Sequence, residues 1–151
     1  MSKELLARVK EERNQLTATL AGVNPIHQER PVGNDGWSIK DILGLLASWE
    51  ELVTQGVEQA VRGEEVAALQ HLGDDKQRQF FQERIKSKRG WSEQQIKDDF
   101  ESAWESLFEV LLDLPPASWE KPEISRLVQS VADAYRAQRE SIEAWKERGL
   151  K

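Results

Sequence analysis

Apolar residues recur along this chain at spacings of three and four, and no segment alternates apolar with polar residues over the length of a strand. Leu5, Val9, Leu16 and Leu20 predict a helix from Lys3 to Leu20, which Gly22 and Pro25 stop. The segment from Val23 to Asp35 reads as a loop. A second helix, Ile39 to Arg62, carries the stripe Ile42, Leu45, Leu46, Trp49, Val53, Val57 and Ala60, and Gly63 closes it. A third, from Asp74 to Lys88, turns Phe80, Phe81 and Ile85 inward. Ile96, Phe100, Ala103, Leu107, Val110 and Leu114 mark a fourth, ended by Pro115-Pro116. The last runs from Ile124 to Arg148 and buries Leu127, Val128, Val131, Tyr135, Ile142 and Trp145. An all-α fold follows, an up-down four-helix bundle with the Asp74 helix as an added element, in one domain spanning residues 1–151.

Two helices begin with the same grammar. Gly36-Trp37-Ser38-Ile39-Lys40-Asp41-Ile42 and Gly90-Trp91-Ser92-Glu93-Gln94-Gln95-Ile96 each place a tryptophan before a serine cap, a polar residue three positions on and an isoleucine at the fourth. Each pair of polar residues predicts a capping box, and each tryptophan predicts a hydrophobic staple on its isoleucine.

The stretch from Trp37 to Glu50, the Leu114-Pro115 turn and the final-helix segment Ala132 to Glu140 together resemble the DinB/YfiT-like four-helix bundles over almost the whole chain. Many members of that family resemble metal enzymes, with one histidine on the second helix and two, four residues apart, on the last. The resemblance puts those positions at Leu45, Ala137 and Ser141, none of which supplies a ligand a transition metal would select. It therefore implies a bundle without a metal or other cofactor. The order of motifs, with Trp49-Glu50-Glu51-Leu52, is also similar to the ClbS/DfsB-like branch, which lacks the histidine triad and is associated with hydrolysis of a reactive genotoxin. No catalytic residue carries over from that branch.

Composition narrows the function classes. The chain has 151 residues, enough for a domain of this size to bury roughly 70% of its unfolded surface without staples. It has no cysteine, which removes disulfides, thiolate metal sites and cysteine nucleophiles. Acids outnumber bases 27 to 21, so the net field repels a phosphate backbone. The cluster Arg84, Lys86, Lys88 and Arg89 reads as a solvated helix end, where cations suit the dipole. No apolar run suits a signal peptide or a membrane span. These features point to a cytoplasmic protein that engages neither nucleic acid nor membrane, with a homodimer as one possible assembly.

Candidate chemistry is sparse. His27 and His71 are far apart and neither has a partner at i+4, and there is no serine elbow or phosphate loop. Glu50 and Glu51 are adjacent, about 100° apart on a helix, and so poorly placed to share an ion. Asp133 stands one turn before Ala137 and is expected to be buried and satisfied by a neighbour. With the metal positions vacated, Leu45, Ser48 and Trp49 on the second helix and Asp133, Tyr135, Ala137, Gln138 and Ser141 on the last are expected to border a cleft for a small apolar molecule. A ClbS-like protective hydrolase and a structural or dimerising module are the alternatives.

Overall fold

The computed structural model describes residues 2–27, 29–32 and 35–148. Its helices are α1 (Ser2–Ala21), α2 (Ile39–Val61), α3 (Asp74–Ser87), α4 (Glu93–Leu112) and α5 (Pro122–Glu147), joined by short 3-10 turns at Pro25–His27, Ala67–His71 and Pro116–Glu120. There is no strand among the described residues. The expected all-α bundle with an added helix is what the chain forms, with boundaries close to those the stripes predict. In the loop between α1 and α2, Gln28, Gly33 and Asn34 lie outside the described residues.

Both capping boxes are present. Asp41 N–H donates to Ser38 Oγ at 3.0 Å and Ser38 N–H to Asp41 Oδ2 at 3.1 Å. Gln95 N–H donates to Ser92 Oγ at 3.1 Å and Ser92 N–H to Gln95 Oε1 at 2.8 Å. Four otherwise orphaned amide donors at two helix starts are thereby satisfied. The two tryptophans do not share one role. Trp37 is half-buried and meets Phe81 of α3 edge-on, ring centroids 6.1 Å apart. Trp91 stays 38% exposed, with the Lys88 ammonium 5.1 Å from its ring. The repeated capping grammar is local; what each tryptophan finds depends on which helix lies across from it.

The core order is set by α2, which packs along α4, α5 and α3, while α1 packs along α5. Cross-helix bonds give the directions. Arg8 reaches Gln129 and Lys146 reaches Thr19, so α1 and α5 run parallel. Trp49 bonds Ser130 and Lys121 bonds the Ala60 carbonyl, so α2 and α5 run antiparallel. Arg13 sits at Phe100 and Lys10 at Phe108, so α1 and α4 are antiparallel. Because α3 carries the chain back, α4 runs in the same direction as α2.

Close approach between α2 and α5 depends on Gly56. A Cβ there would lie 2.9 Å from Leu127 Cδ1, 3.1 Å from Ala68 Cβ and 3.3 Å from Val66 Cγ1. At Gly44 the nearest atoms, Ile96 Cδ1 at 3.4 Å and Lys88 Cδ at 3.5 Å, stand at ordinary contact.

Two predictions follow from these local features. Ser38→Ala and Ser92→Ala should each cost about 1 kcal/mol in urea unfolding; unchanged midpoints for both would remove the caps from the account. Helix propensity alone favours alanine over glycine by about 1 kcal/mol, so Gly44→Ala should raise the melting temperature. Gly56→Ala should lower it, because overpacking a tight contact costs about 1–3 kcal/mol. Equal shifts of the two would contradict the close approach at Gly56.

Candidate functional site

Three polar side chains stand on stripes that are otherwise apolar. Arg13 lies between Val9 and Leu16, Glu50 between Leu46 and Val53, and Tyr135 one turn after Val131, so helical periodicity turns all three inward. They meet at the bundle centre. Arg13 is 4% exposed, and Glu50 and Tyr135 are fully buried. Arg13 Nη1 donates to Glu50 Oε2 at 2.7 Å and to the Tyr135 hydroxyl at 3.3 Å. The Tyr135 hydroxyl donates to the same Glu50 oxygen. Arg13 Nη2 donates to the Phe100 carbonyl at 3.3 Å and lies 3.8 Å from Glu101 Oε1. Its guanidinium sits 3.9 Å from the Phe100 ring centre, 4.9 Å from Trp104 and 5.8 Å from Tyr135. The knot ties α1, α2, α4 and α5 together through one cation.

Both donors converge on Oε2, and Glu50 Oε1 has no partner among the described residues. Burial pushes the Glu50 carboxyl up from its ordinary 4.5 to about 8, against the pull of Arg13 and the Tyr135 hydrogen bond. Burial, reinforced by the Glu50 charge, likewise raises Tyr135 well above the usual phenol range, so the phenol keeps its proton.

A second polar junction joins α2, α3 and α4. Lys88 Nζ donates to the Gly44 carbonyl at 3.0 Å and to Asp99 Oδ2 at 2.6 Å. Burial and a hydrogen bond to Asp99 raise the neighbouring Glu51 carboxyl above the ordinary range. This junction borders a cavity of about 280 Å³ beside Ser38 and Lys40.

The seam between α1 and α4 differs from the other helix contacts. The two backbones barely meet, and Arg13, Phe100 and Trp104 bridge them through side chains. Toward the end of α1 the seam opens into a cavity of about 490 Å³. Leu20, Val23, Ile39, Leu43 and Phe100 supply its apolar wall. Thr17, Gln94, Lys97, Asp98 and Glu101 supply its polar edge. A larger groove of about 990 Å³ lies elsewhere, beside Trp119 between the start of α1 and the start of α5.

The eight residues expected around a cleft between α2 and α5 do not surround one opening. Leu45, Ser48, Trp49 and Tyr135 are buried, and Trp49 Nε1 donates to Ser130 Oγ at 3.1 Å across the packed α2–α5 contact. Asp133 and Ala137 lie on the exposed side of α5, and Gln138 and Ser141 are half-buried. Asp133 is not a buried acid: it accepts from Gln129 at 2.8 Å and lies 3.5 Å from Arg8. The inward face of α5 runs instead through Val131 and Tyr135, with Arg139 half-buried beside it and donating to Glu12 of α1 at 3.3 Å. Alignment by motif set the last helix about half a turn from where packing sets it. Reasoning from the sequence passed over Arg13 and gave Glu50 no part in a site. The available signal was charge at stripe positions, an acid or base where the period demands an apolar residue.

The chain matches the model of the family described as mycothiol maleylpyruvate isomerase N-terminal domain over residues 9–146. It belongs to that family. This places it in the DinB/YfiT-like superfamily. No curated protein matches it. A crystal structure of an uncharacterised protein from Escherichia coli UTI89 superimposes with a TM-score of 0.79 at 14% identity, covering 99% of this chain and 95% of that one. At that identity the likeness concerns the fold.

The histidine triad of DinB-like metal enzymes has no counterpart in the residues present. Leu45 is sealed in the core, Ala137 faces outward, and no group of three His, Cys, Asp or Glu is arranged to hold a metal ion among the described residues. His27 instead packs edge-on to Trp145 at 5.9 Å, and His71 lies against Phe80 at 5.1 Å. No helix among the described residues is long and apolar enough to cross a membrane.

The raised Glu50 pKa carries a pH dependence. An acid whose folded pKa lies above its unfolded value stabilises the fold fully below the unfolded pKa and loses that contribution as pH rises through the folded one. From pH 5 to 8 the unfolding free energy of the protein should therefore fall relative to that of Glu50→Gln, by up to about 1.4 kcal/mol per pH unit. A constant difference between the two across that range would contradict the assignment.

Proposed function

We propose that this domain is a metal-independent binding module whose ligand is a small molecule with an apolar body, held in the seam between α1 and α4. The observation that carries the reading is the separation of these two helices. Their backbones barely meet, and toward the end of α1 they leave a cavity of about 490 Å³ with an apolar wall and a polar edge. Small-molecule sites have that make-up and fall in the range of about 300–1,000 Å³. The α2–α5 cleft loses its support as a site, because Leu45, Trp49 and Tyr135 fill it.

A protective hydrolase is less well supported. Its acid would have to reach a substrate or a water, and Glu50, the one strongly perturbed acid of the core, is fully buried behind Arg13. The isomerase activity in the family's name is not carried over, since a fold hosts many chemistries and function belongs to the site. A dimerising role has less behind it than the seam: the large exposed apolar residues Ile26, Val61, Trp91 and Leu112 sit on separate segments of the chain.

The test uses a neutral probe, 4-phenylbutanol. It should raise the melting temperature by mass action. Ala21→Trp, at an exposed position on the cavity rim, should abolish that shift while the circular dichroism spectrum stays helical. Ser125→Trp, in the groove beside Trp119, should leave it intact. A shift that survives Ala21→Trp, or none in the unmodified protein, would overturn the reading.

A further inference from the structure

We propose that α3 is a hinged lid: it lifts from α2 as one unit while the rest of the bundle stays folded, and the Lys88 side chain is its latch. The inference is independent of the seam and rests on how little holds this helix. In α2, fifteen of twenty-three residues are buried, whereas α3 buries three of fourteen, Phe80, Phe81 and Ile85. Its other side chains are exposed, apart from the half-buried Gln77. Its backbone packs along α2 and the Ala67–His71 turn. Glycines stand at both ends, and Gly73, at φ 107°, has a backbone conformation that favours glycine. A Cβ at Gly73 or Gly90 would meet nothing within 4 Å, so packing holds neither position. Segments with few buried apolar contacts and a solvent-facing backbone open at lower free energy than the core they sit on.

Two sets of contacts oppose the opening. On the aromatic face, Phe80 and Phe81 meet Trp49 edge-on at 5.6 and 5.7 Å, and Phe81 meets Trp37. At the far end, Lys88 ties the close of α3 to the Gly44 carbonyl of α2 and to Asp99 of α4, and the two side chains of that ion pair are only 10% and 15% exposed. The other charged tie, Arg78 to Asp35, joins side chains 56% and 32% exposed, where water and salt screen a pair and leave it worth little. Lifting α3 uncovers the Trp49 ring, otherwise 1% exposed, while the indole N–H stays on Ser130 of α5. It also melts the lid, because a free helix shorter than about 12–15 residues is marginal in water. The amides from Gln77, bonded to the Gly73 carbonyl, to Lys88, bonded to the Arg84 carbonyl, then meet solvent together.

Amide hydrogen exchange of the full chain, read by mass spectrometry, tests both parts. In the unmodified protein the amides of residues 77–88 should be about 100-fold or more less protected than those of residues 45–57 in α2. The double variant Lys88→Met, Asp99→Asn removes the latch without leaving Asp99 unpaired beside Glu51. It should lower protection in α3 by about a further tenfold and leave α2, α4 and α5 unchanged. Equal protection of α3 and α2 in the unmodified protein would overturn the lid. A double variant that leaves α3 unchanged, or that shifts α2 and α3 by the same factor, would overturn the latch.

Discussion

A single guanidinium organises this bundle. Arg13 leaves α1, bonds a carboxyl group on α2, a carbonyl on α4 and a phenol on α5, and stacks on aromatic rings of α4. Taking a charge out of water costs several kcal/mol, and the interior returns it only through good geometry and near-complete hydrogen bonding. Here the cation meets an acid at 2.7 Å and three ring faces within 5.8 Å, which accounts for how a charged residue sits at 4% exposure. The acid is less well provided for: one of its oxygens has two donors, the other none. That imbalance fits a carboxyl whose burial raises its pKa despite an arginine beside it.

The same residue sets the width of the α1–α4 seam. Two helices whose contact positions are small or aliphatic approach to about 8–10 Å. Arginine over phenylalanine and tryptophan needs more room, and the helices stay apart along their length. Farther along α1, where Thr17, Leu20 and Ala21 replace the long side chain, nothing of that size fills the gap and the cavity opens. The core polar knot and the candidate binding site are thus two consequences of one packing choice.

Much of the fold was legible in the chain. Stripes at helical period located five helices, and serine boxes marked two helix starts, because both signals depend on residues within a turn or two of one another. The three-dimensional site was less legible. Asp133 and Ala137 were placed by likeness of motif, yet a helix rotates 100° per residue, so an uncertainty of one or two positions moves a side chain from the core to solvent. Tyr135 was expected inside and is inside, since its place on the stripe with Val131 needs no comparison with another chain.

By itself the sequence determined the helical class, the five helices with boundaries close to those observed, and the two caps. Those follow from local spacing and from the chemistry of single side chains. Tertiary structure alone decided that Arg13, Glu50 and Tyr135 meet, that α4 runs parallel to α2, that Trp37 finds Phe81 while Trp91 stays at the surface, and that the open seam lies between α1 and α4. Each of these depends on contacts between residues far apart in the chain, where the rotation and separation of whole helices are fixed by the sum of all their packing.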